Sequence, residues 1–201
     1  MVPAFSLIAA AVLYRLLYAL AGSPATWTNF SPLASIFLVS GLYFPRRVAW
    51  IVPWVAVVAS DLILNWHYHV PLFDTRMLSG YFCFALTLLL GFALRRATRW
   101  RLPLLLGACI LGSTLFYLVT NTIDWWFDSA VPNPVPLYTH TWSGWLQALT
   151  VGHLGYPPTI LFFRNTLLSD LLFTLLFVLC FAVATRRWWP ATAIETQRVA
   201  S

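Results

Sequence analysis

Long apolar runs without charged side chains constrain this chain more than any other feature. Residues 102–123 and 171–185 contain no Asp, Glu, Lys or Arg, and similar runs recur along the 201 residues. Charged residues make up only 9% of the chain, against about 25% in a soluble domain. Runs of this length suit transmembrane helices, whereas the strands of a membrane barrel alternate apolar with polar residues. We therefore expect an all-α, polytopic membrane helix bundle.

Six apolar runs predict about six transmembrane helices. They cover residues 4–21, 32–44, 48–64, 78–94, 102–122 and 166–185. The segment 146–163 is also apolar, but its glycines and the Pro157-Pro158 pair favour a re-entrant or surface element over a further span. The first run has no basic leader and no clear cleavage site, so we expect it to be retained. Residues 1–187 then form one transmembrane domain, and residues 188–201 a short cytoplasmic tail.

The arginines predict the orientation of the bundle, because cytoplasmic loops of membrane proteins collect positive charge. Most of the twelve arginines fall into three clusters, Arg46-Arg47, residues 95–101 and Arg186-Arg187. Six spans with both termini in the cytoplasm place all three clusters on the cytoplasmic side. The positive charge lies in short turns at helix ends, which is not the pattern of a nucleic-acid-binding surface.

The loops assigned to the outer side are rich in polar and aromatic residues that can recognise a small molecule. An aromatic belt at the membrane interface would explain the Trp residues alone. Neighbouring amides and charges favour a polar cavity between helices. The loop residues that we predict to bind a ligand are Asn29, Asn121, Asp124, Trp125, Arg164 and Asn165.

Two carboxylates, Asp61 and Asp170, lie inside apolar runs. A carboxylate at membrane depth costs about 2.5 to 3.5 kcal/mol on insertion scales, so a partner must offset it. Both belong to the outer half of the predicted bundle and could share one ligand cavity. Alternatively, each caps a helix or pairs with an arginine to hold the bundle together. Arg15, in the middle of the first span, either pairs with an acid or extends to the membrane surface.

Enzyme chemistry finds little support in the residue pattern. His67, His69 and Asp74 could suggest a metal site, but this His-x-His spacing suits a strand, and the short loop predicts none. Ser60 and Ser169 each precede an aspartate, with no histidine nearby in sequence to activate them. We expect a protein that is not an enzyme, and no cofactor can be assigned. The cysteines lie in apolar runs, where they pack as small hydrophobic residues.

Four segments of the chain together resemble a known family. They are residues 29–34 (NFSPLA), 60–62 (SDL), 120–121 (TN) and 163–170 (FRNTLLSD). The family comprises small bacterial membrane proteins of unknown function, and it is similar to the S components of energy-coupling factor (ECF) vitamin transporters. The resemblance extends from about Trp27 to about Phe177.

The resemblance implies a compact bundle of six helices in the bacterial inner membrane. Such a bundle captures a small micronutrient, a vitamin or cofactor precursor, at its outer face, and an ECF energising module is its possible partner. Ser6 and Ala10 are the nearest match to the helix-contact motif that docks this module. BtuM-type cobalamin transporters of similar plan bind cobalt through a cysteine. Cys83, near the outer end of the fourth predicted span, is the candidate for that ligand, although its flanking residues match no motif. The alternative function is a membrane enzyme or assembly factor that acts on lipid or a protein partner.

Overall fold

The computed structural model describes residues 2–22, 27–97, 101–127, 137–153 and 155–185. Over these ranges the chain forms α-helices and no strand, which confirms the all-α prediction. The seven helices found there are α1 (Val2–Leu20), α2 (Leu33–Tyr43), α3 (Arg46–His67), α4 (Thr75–Leu94), α5 (Arg101–Trp126), α6 (Trp142–Leu149) and α7 (Thr159–Thr185).

Four of the helices in the described part are long and apolar enough to cross a membrane. These helical stretches are Arg46–His67, Met77–Leu94, Arg101–Trp126 and Thr159–Ala184, and two shorter apolar stretches are Ile8–Leu20 and Leu33–Tyr43. With 11 residues, α2 rises about 16 Å, roughly half of the hydrocarbon thickness. The helix lengths therefore support a membrane protein, but they do not establish the predicted number of six membrane crossings.

The short helix α2 lies at the centre of the bundle. Ten of its 11 residues, from Leu33 to Leu42, are buried, as expected for a helix that is apolar on every side. It packs against α3, α4, α5 and α7. At its end Arg95 donates hydrogen bonds to the carbonyl oxygens of Gly41 (2.6 Å) and Phe44, which would otherwise lack partners. Burial and the nearby charge of Arg46 lower the pKa of Arg95.

Two glycines allow α2 and α4 to cross in backbone contact. A Cβ atom added to Gly41 would lie 2.3 Å from the carbonyl oxygen of Leu88 and 3.0 Å from the Cα atom of Gly91. A Cβ atom added to Gly91 would lie 2.3 Å from the carbonyl oxygen of Leu38. Only glycine fits at either position, so these two residues fix the spacing of the helix pair.

The helix ends form two distinct faces of the bundle. The loop end contains the C-terminal ends of α1, α3 and α5 and the N-terminal ends of α2, α4 and α7. There the hydroxyl of Tyr68 donates to the carbonyl of Ala19 (2.8 Å), and Asn165 donates to Thr28 (2.9 Å). The arginine end lies opposite and carries Arg46, Arg47, Arg95, Arg96 and Arg101, at the start of α3, the end of α4 and the start of α5.

The last helix begins earlier than the sequence predicts. α7 starts at Thr159, seven residues before the predicted boundary at residue 166. Pro157 and Pro158 explain the difference, because proline is common at helix starts and a pair of them also resembles a loop. The predicted re-entrant or surface element thus comprises the end of α6, a turn and the start of α7. The predicted tail at residues 188–201 and the Arg186-Arg187 pair lie outside the described residues.

Candidate functional site

An inner cavity of about 670 Å³ opens between the helices at the loop end. Its wall is formed by parts of α1, α2, α3, α4, α5 and α7 together with the loop that precedes α2. Aromatic rings of Phe30, Tyr81, Phe84 and Phe116 line much of it. A volume of this size is within the range of cavities that hold small organic ligands.

One predicted acid, Asp61, has both carboxylate oxygens engaged within the chain. Arg15 donates to Oδ1 at 2.6 Å, and the hydroxyl of Tyr81 donates to Oδ2 at 2.8 Å. Arg15 also donates to the hydroxyl of Ser60. The two charged side chains are 18% and 13% exposed, so the ion pair is largely removed from water. The sequence left open whether Arg15 pairs with an acid or extends to the membrane surface. In the structure Arg15 pairs with Asp61.

The second acid, Asp170, is buried and has one oxygen without a partner. The residue is 2% exposed, and the hydroxyl of Ser113 donates to Oδ2 at 2.7 Å. No described residue donates a hydrogen bond to Oδ1. Asp61 and Asp170 line the same inner cavity, which is the arrangement that the sequence suggested.

An outer cavity of about 400 Å³ adjoins the inner one. Asn29, Phe116, Thr120, Asp124 and Thr166 line both, so the two spaces share a wall. The outer cavity is otherwise lined by residues of α5, of the start of α7 and of the segments that precede α6 and α7. These residues include Asn121, Tyr138, His153 and Tyr156.

Buried polar atoms without partners are concentrated at these two cavities. Within the described residues, four buried side-chain atoms have no hydrogen-bond partner. The Ser31 hydroxyl and Asp170 Oδ1 belong to residues of the inner cavity, and His153 Nδ1 belongs to a residue of the outer one. Such atoms are rare in native proteins because each loses its hydration without compensation.

Asn29 adopts a backbone conformation that most residues avoid. Its φ is 66°, in the left-handed region where Asn is among the few non-glycine residues that are common. The turn directs the chain from Trp27 into the buried start of α2, and Phe30 closes it with a hydrogen bond from its amide to the carbonyl of Trp27 (3.2 Å). This turn places Asn29 in the wall between the two cavities.

Three further predicted residues, Trp125, Arg164 and Asn165, line neither cavity. Asn165 is buried and donates to the carbonyl of Thr28 at 2.9 Å, which ties α7 to the loop before α2. Arg164 lies over the ring of Trp27, 5.4 Å from its centroid. The indole of Trp125 donates to the carbonyl of Thr139 at 2.9 Å. These residues hold the loops that surround the cavities.

The candidate metal-binding residues Cys83, His67 and His69 line neither cavity. The Cys83 thiol lies between α4 and α5, near the carbonyl of Leu115 (3.9 Å), and lines neither cavity. His67 and His69 are exposed. In the described ranges, no three His, Cys, Asp or Glu side chains converge as metal ligands would.

Sequence reasoning missed three side chains that complete the site. Tyr81 is hidden among the many aromatic residues expected at a membrane interface. Ser113 is a small polar residue within an apolar helix, where such residues usually bond to their own backbone. Ser31 is part of the NFSPLA segment, where nothing in the sequence marks its hydroxyl as a binding group. The only available signal for Ser113 was a polar residue in an otherwise apolar run.

Comparison with known proteins gives one match. The sequence profile of a family described as a family of unknown function (DUF6580) matches residues 1–193. No curated protein and no solved structure matches the chain.

Proposed function

The chain belongs to the DUF6580 family, whose function is unknown, and we propose that it is a substrate-binding membrane transport protein. Its substrate is a small polar micronutrient, such as a vitamin or cofactor precursor, held in the inner cavity. The observation that carries the proposal is the unpartnered Asp170 Oδ1, buried in the wall of a ligand-sized cavity. A bundle without a ligand would gain stability from an apolar residue at this position.

The proposed orientation has the cavity facing outward across a bacterial inner membrane. The described arginine clusters lie at the arginine end, opposite the cavity. Since cytoplasmic loops collect positive charge, the arginine end belongs in the cytoplasm and the loop end outside. Six crossings with both termini in the cytoplasm agree with this arrangement. The short α2 then completes its crossing of the membrane with the residues on either side of it.

Labelling of introduced cysteines tests the orientation. Phe73 is 72% exposed in the loop between α3 and α4, and Arg96 is exposed at the arginine end. In intact cells, we expect a membrane-impermeant maleimide to label the Phe73→Cys protein and to leave the Arg96→Cys protein unlabelled until the cells are opened. The native cysteines are buried or half-buried, so the wild-type chain serves as background. Labelling of Arg96→Cys alone in intact cells would reverse the orientation.

The resemblance to ECF S components supports a transport function whose energy is supplied by another protein. Such proteins depend on an energising module, which would contact this bundle on a face of small residues. Ser6 and Ala10, one turn apart on α1, are exposed and could form that contact. The module is a proposed partner, together with membrane lipid and the small-molecule substrate.

Blocking the cavity tests the binding function. Gly80 lines the inner cavity, and a Cβ atom there would meet only the Phe116 ring, at 3.5 Å. Gly80→Leu should therefore fill the cavity without displacing backbone. Native mass spectrometry of wild-type protein extracted gently from its own host should detect a retained small molecule. We expect that molecule to be lost from Gly80→Leu, with occupancy reduced at least about tenfold by the steric block.

Gly107→Leu is the matched control. It makes the same change in a transmembrane helix, where an added Cβ atom meets no atom within 4 Å. This variant should retain the molecule as the wild type does. Equal retention by Gly80→Leu, or no retained molecule in wild-type protein, would contradict binding in the cavity.

The alternative of a membrane enzyme loses support at Ser169, one of its two candidate nucleophiles. The Ser169 hydroxyl donates to the carbonyls of Ser31 (3.1 Å) and Thr166 (2.9 Å). A serine nucleophile instead donates to a general base. Ser169 serves helix packing in this arrangement, and the transport proposal is the better supported.

A further inference from the structure

We propose that the inner cavity selects an organic cation, an amine with an aromatic or apolar body, and that its N–H group pairs with Oδ1 of Asp170. This inference rests on the proposed function and specifies the chemical class of the substrate. It follows from three properties of the cavity: the free carboxylate oxygen of Asp170, the engagement of Arg15 by other residues, and the aromatic wall.

The carboxylate of Asp170 is prepared for a hydrogen-bond donor. Ser113 occupies Oδ2, and Ser35 fixes the backbone by donating to the Asp170 carbonyl at 3.0 Å. The side chain is thus held with Oδ1 free, in a residue that lines the cavity. A donor with positive charge satisfies both the hydrogen bond and the charge, and such bonds are about twice as strong as neutral ones.

The cation that could attract an anion is already occupied. Arg15 lines the cavity, but its two terminal nitrogens bond to Ser60 and Asp61. Among the described residues that line the cavity, three carry a carboxylate, Asp61, Asp124 and Asp170, and one, Arg15, carries a guanidinium. The formal charge of the wall is therefore negative, which repels anions and favours cations.

The remaining wall suits the body of such a molecule. The rings of Phe84 and Phe116 stack at a centroid distance of 5.4 Å, and Tyr81 and Phe30 also line the cavity. Aromatic faces attract cations and bury apolar groups. The free Ser31 hydroxyl adds a second polar contact close to Asp170, because Ser169 donates to the Ser31 carbonyl at 3.1 Å. Together these groups favour a compact molecule with a cationic end and an aromatic body.

Three indole probes of nearly equal shape test the charge preference. Tryptamine, tryptophol and indole-3-propionate end in an amine, a hydroxyl and a carboxylate. Binding to purified full-length protein is measured by calorimetric titration at neutral pH. We expect tryptamine to bind about tenfold or more tightly than indole-3-propionate, with tryptophol between them. In Asp170→Asn, we expect the preference for the amine to disappear.

Asp74→Asn is the matched control, since Asp74 lies at the loop end but lines neither cavity. This variant should keep the wild-type order of the probes. The inference is overturned if the carboxylate binds as well as the amine, if no probe binds, or if Asp170→Asn keeps its preference. Should Asp170→Asn fail to fold, the order of the probes on the wild-type protein still decides.

The two proposals fail in different ways. A molecule retained from the host, and displaced by Gly80→Leu, would uphold binding even if the probes showed no preference for the amine. The cation inference alone would then fall. If no host molecule is retained and none of the probes binds, both proposals fall together.

Discussion

Replacing Arg15 with Leu is expected to destabilise the folded protein by about 3 to 5 kcal/mol, the usual result of removing one partner of a buried ion pair. Among the described residues, the Asp61 carboxylate would keep only the Tyr81 hydroxyl as a donor. It would also remain in a site where the side chain is 13% exposed. Thermal unfolding of the purified protein in detergent measures the effect, and we expect the midpoint to fall by on the order of 10 °C.

Two controls separate loss of the ion pair from loss of a charge. Arg47→Leu removes an exposed arginine at the arginine end and should change stability by less than about 0.5 kcal/mol. Arg15→Leu combined with Asp61→Leu removes both charges and should recover much of the loss. If Arg15→Leu is no less stable than Arg47→Leu, the ion pair does not hold α1 to α3.

The two intramembrane acids, Asp61 and Asp170, differ in how many of their carboxylate oxygens are hydrogen-bonded within the chain. Both oxygens of Asp61 are bonded within the chain, so its first task is to join α1, α3 and α4. Asp170 has one oxygen bonded and one free. The two residues look alike in sequence, each following a serine and preceding a leucine. Only the partners that folding brings to them distinguish the fully bonded acid from the one with a free oxygen, which we propose as the ligand-binding acid.

The fold could be predicted wherever one helix corresponds to one apolar run. The runs at 48–64, 78–94 and 102–122 coincide with the cores of α3, α4 and α5. The central position of α2 could not be predicted, because a short run that is apolar on every side is equally compatible with lipid and with a protein interior. The start of α7 was misplaced because a proline pair marks both loops and helix starts.

The site could be predicted as a region but not as a set of contacts. Asn29, Asp61, Asp124 and Asp170 line the inner cavity, and Asn121 lines the outer one. Trp125, Arg164 and Asn165 instead bond to neighbouring loops. A polar residue at a helix end can serve a ligand or a loop equally well, and sequence spacing does not separate the two. Tyr81 and Ser113 were missed because their roles depend on contacts between distant helices.

The glycine crossing of α2 and α4 leads to the second large effect. Gly41→Ala should destabilise the protein by about 2 to 3 kcal/mol, because the added methyl group would overlap backbone atoms of α4. The nearest of these atoms, the Leu88 carbonyl oxygen, would be 2.3 Å from the new Cβ. Backbone cannot rotate away as a side chain can, so the helices must separate. Thermal unfolding in detergent measures the loss.

Gly107→Ala is the control of opposite sign. It places the same methyl group on α5 in open space, where replacing a helical glycine by alanine gains about 0.5 to 1 kcal/mol. Because α2 and α4 both contribute to the wall of the inner cavity, Gly41→Ala should also weaken retention of the host molecule. If Gly41→Ala is as stable as Gly107→Ala, the two helices do not cross in backbone contact, and the cavity wall that they form would have to be placed differently.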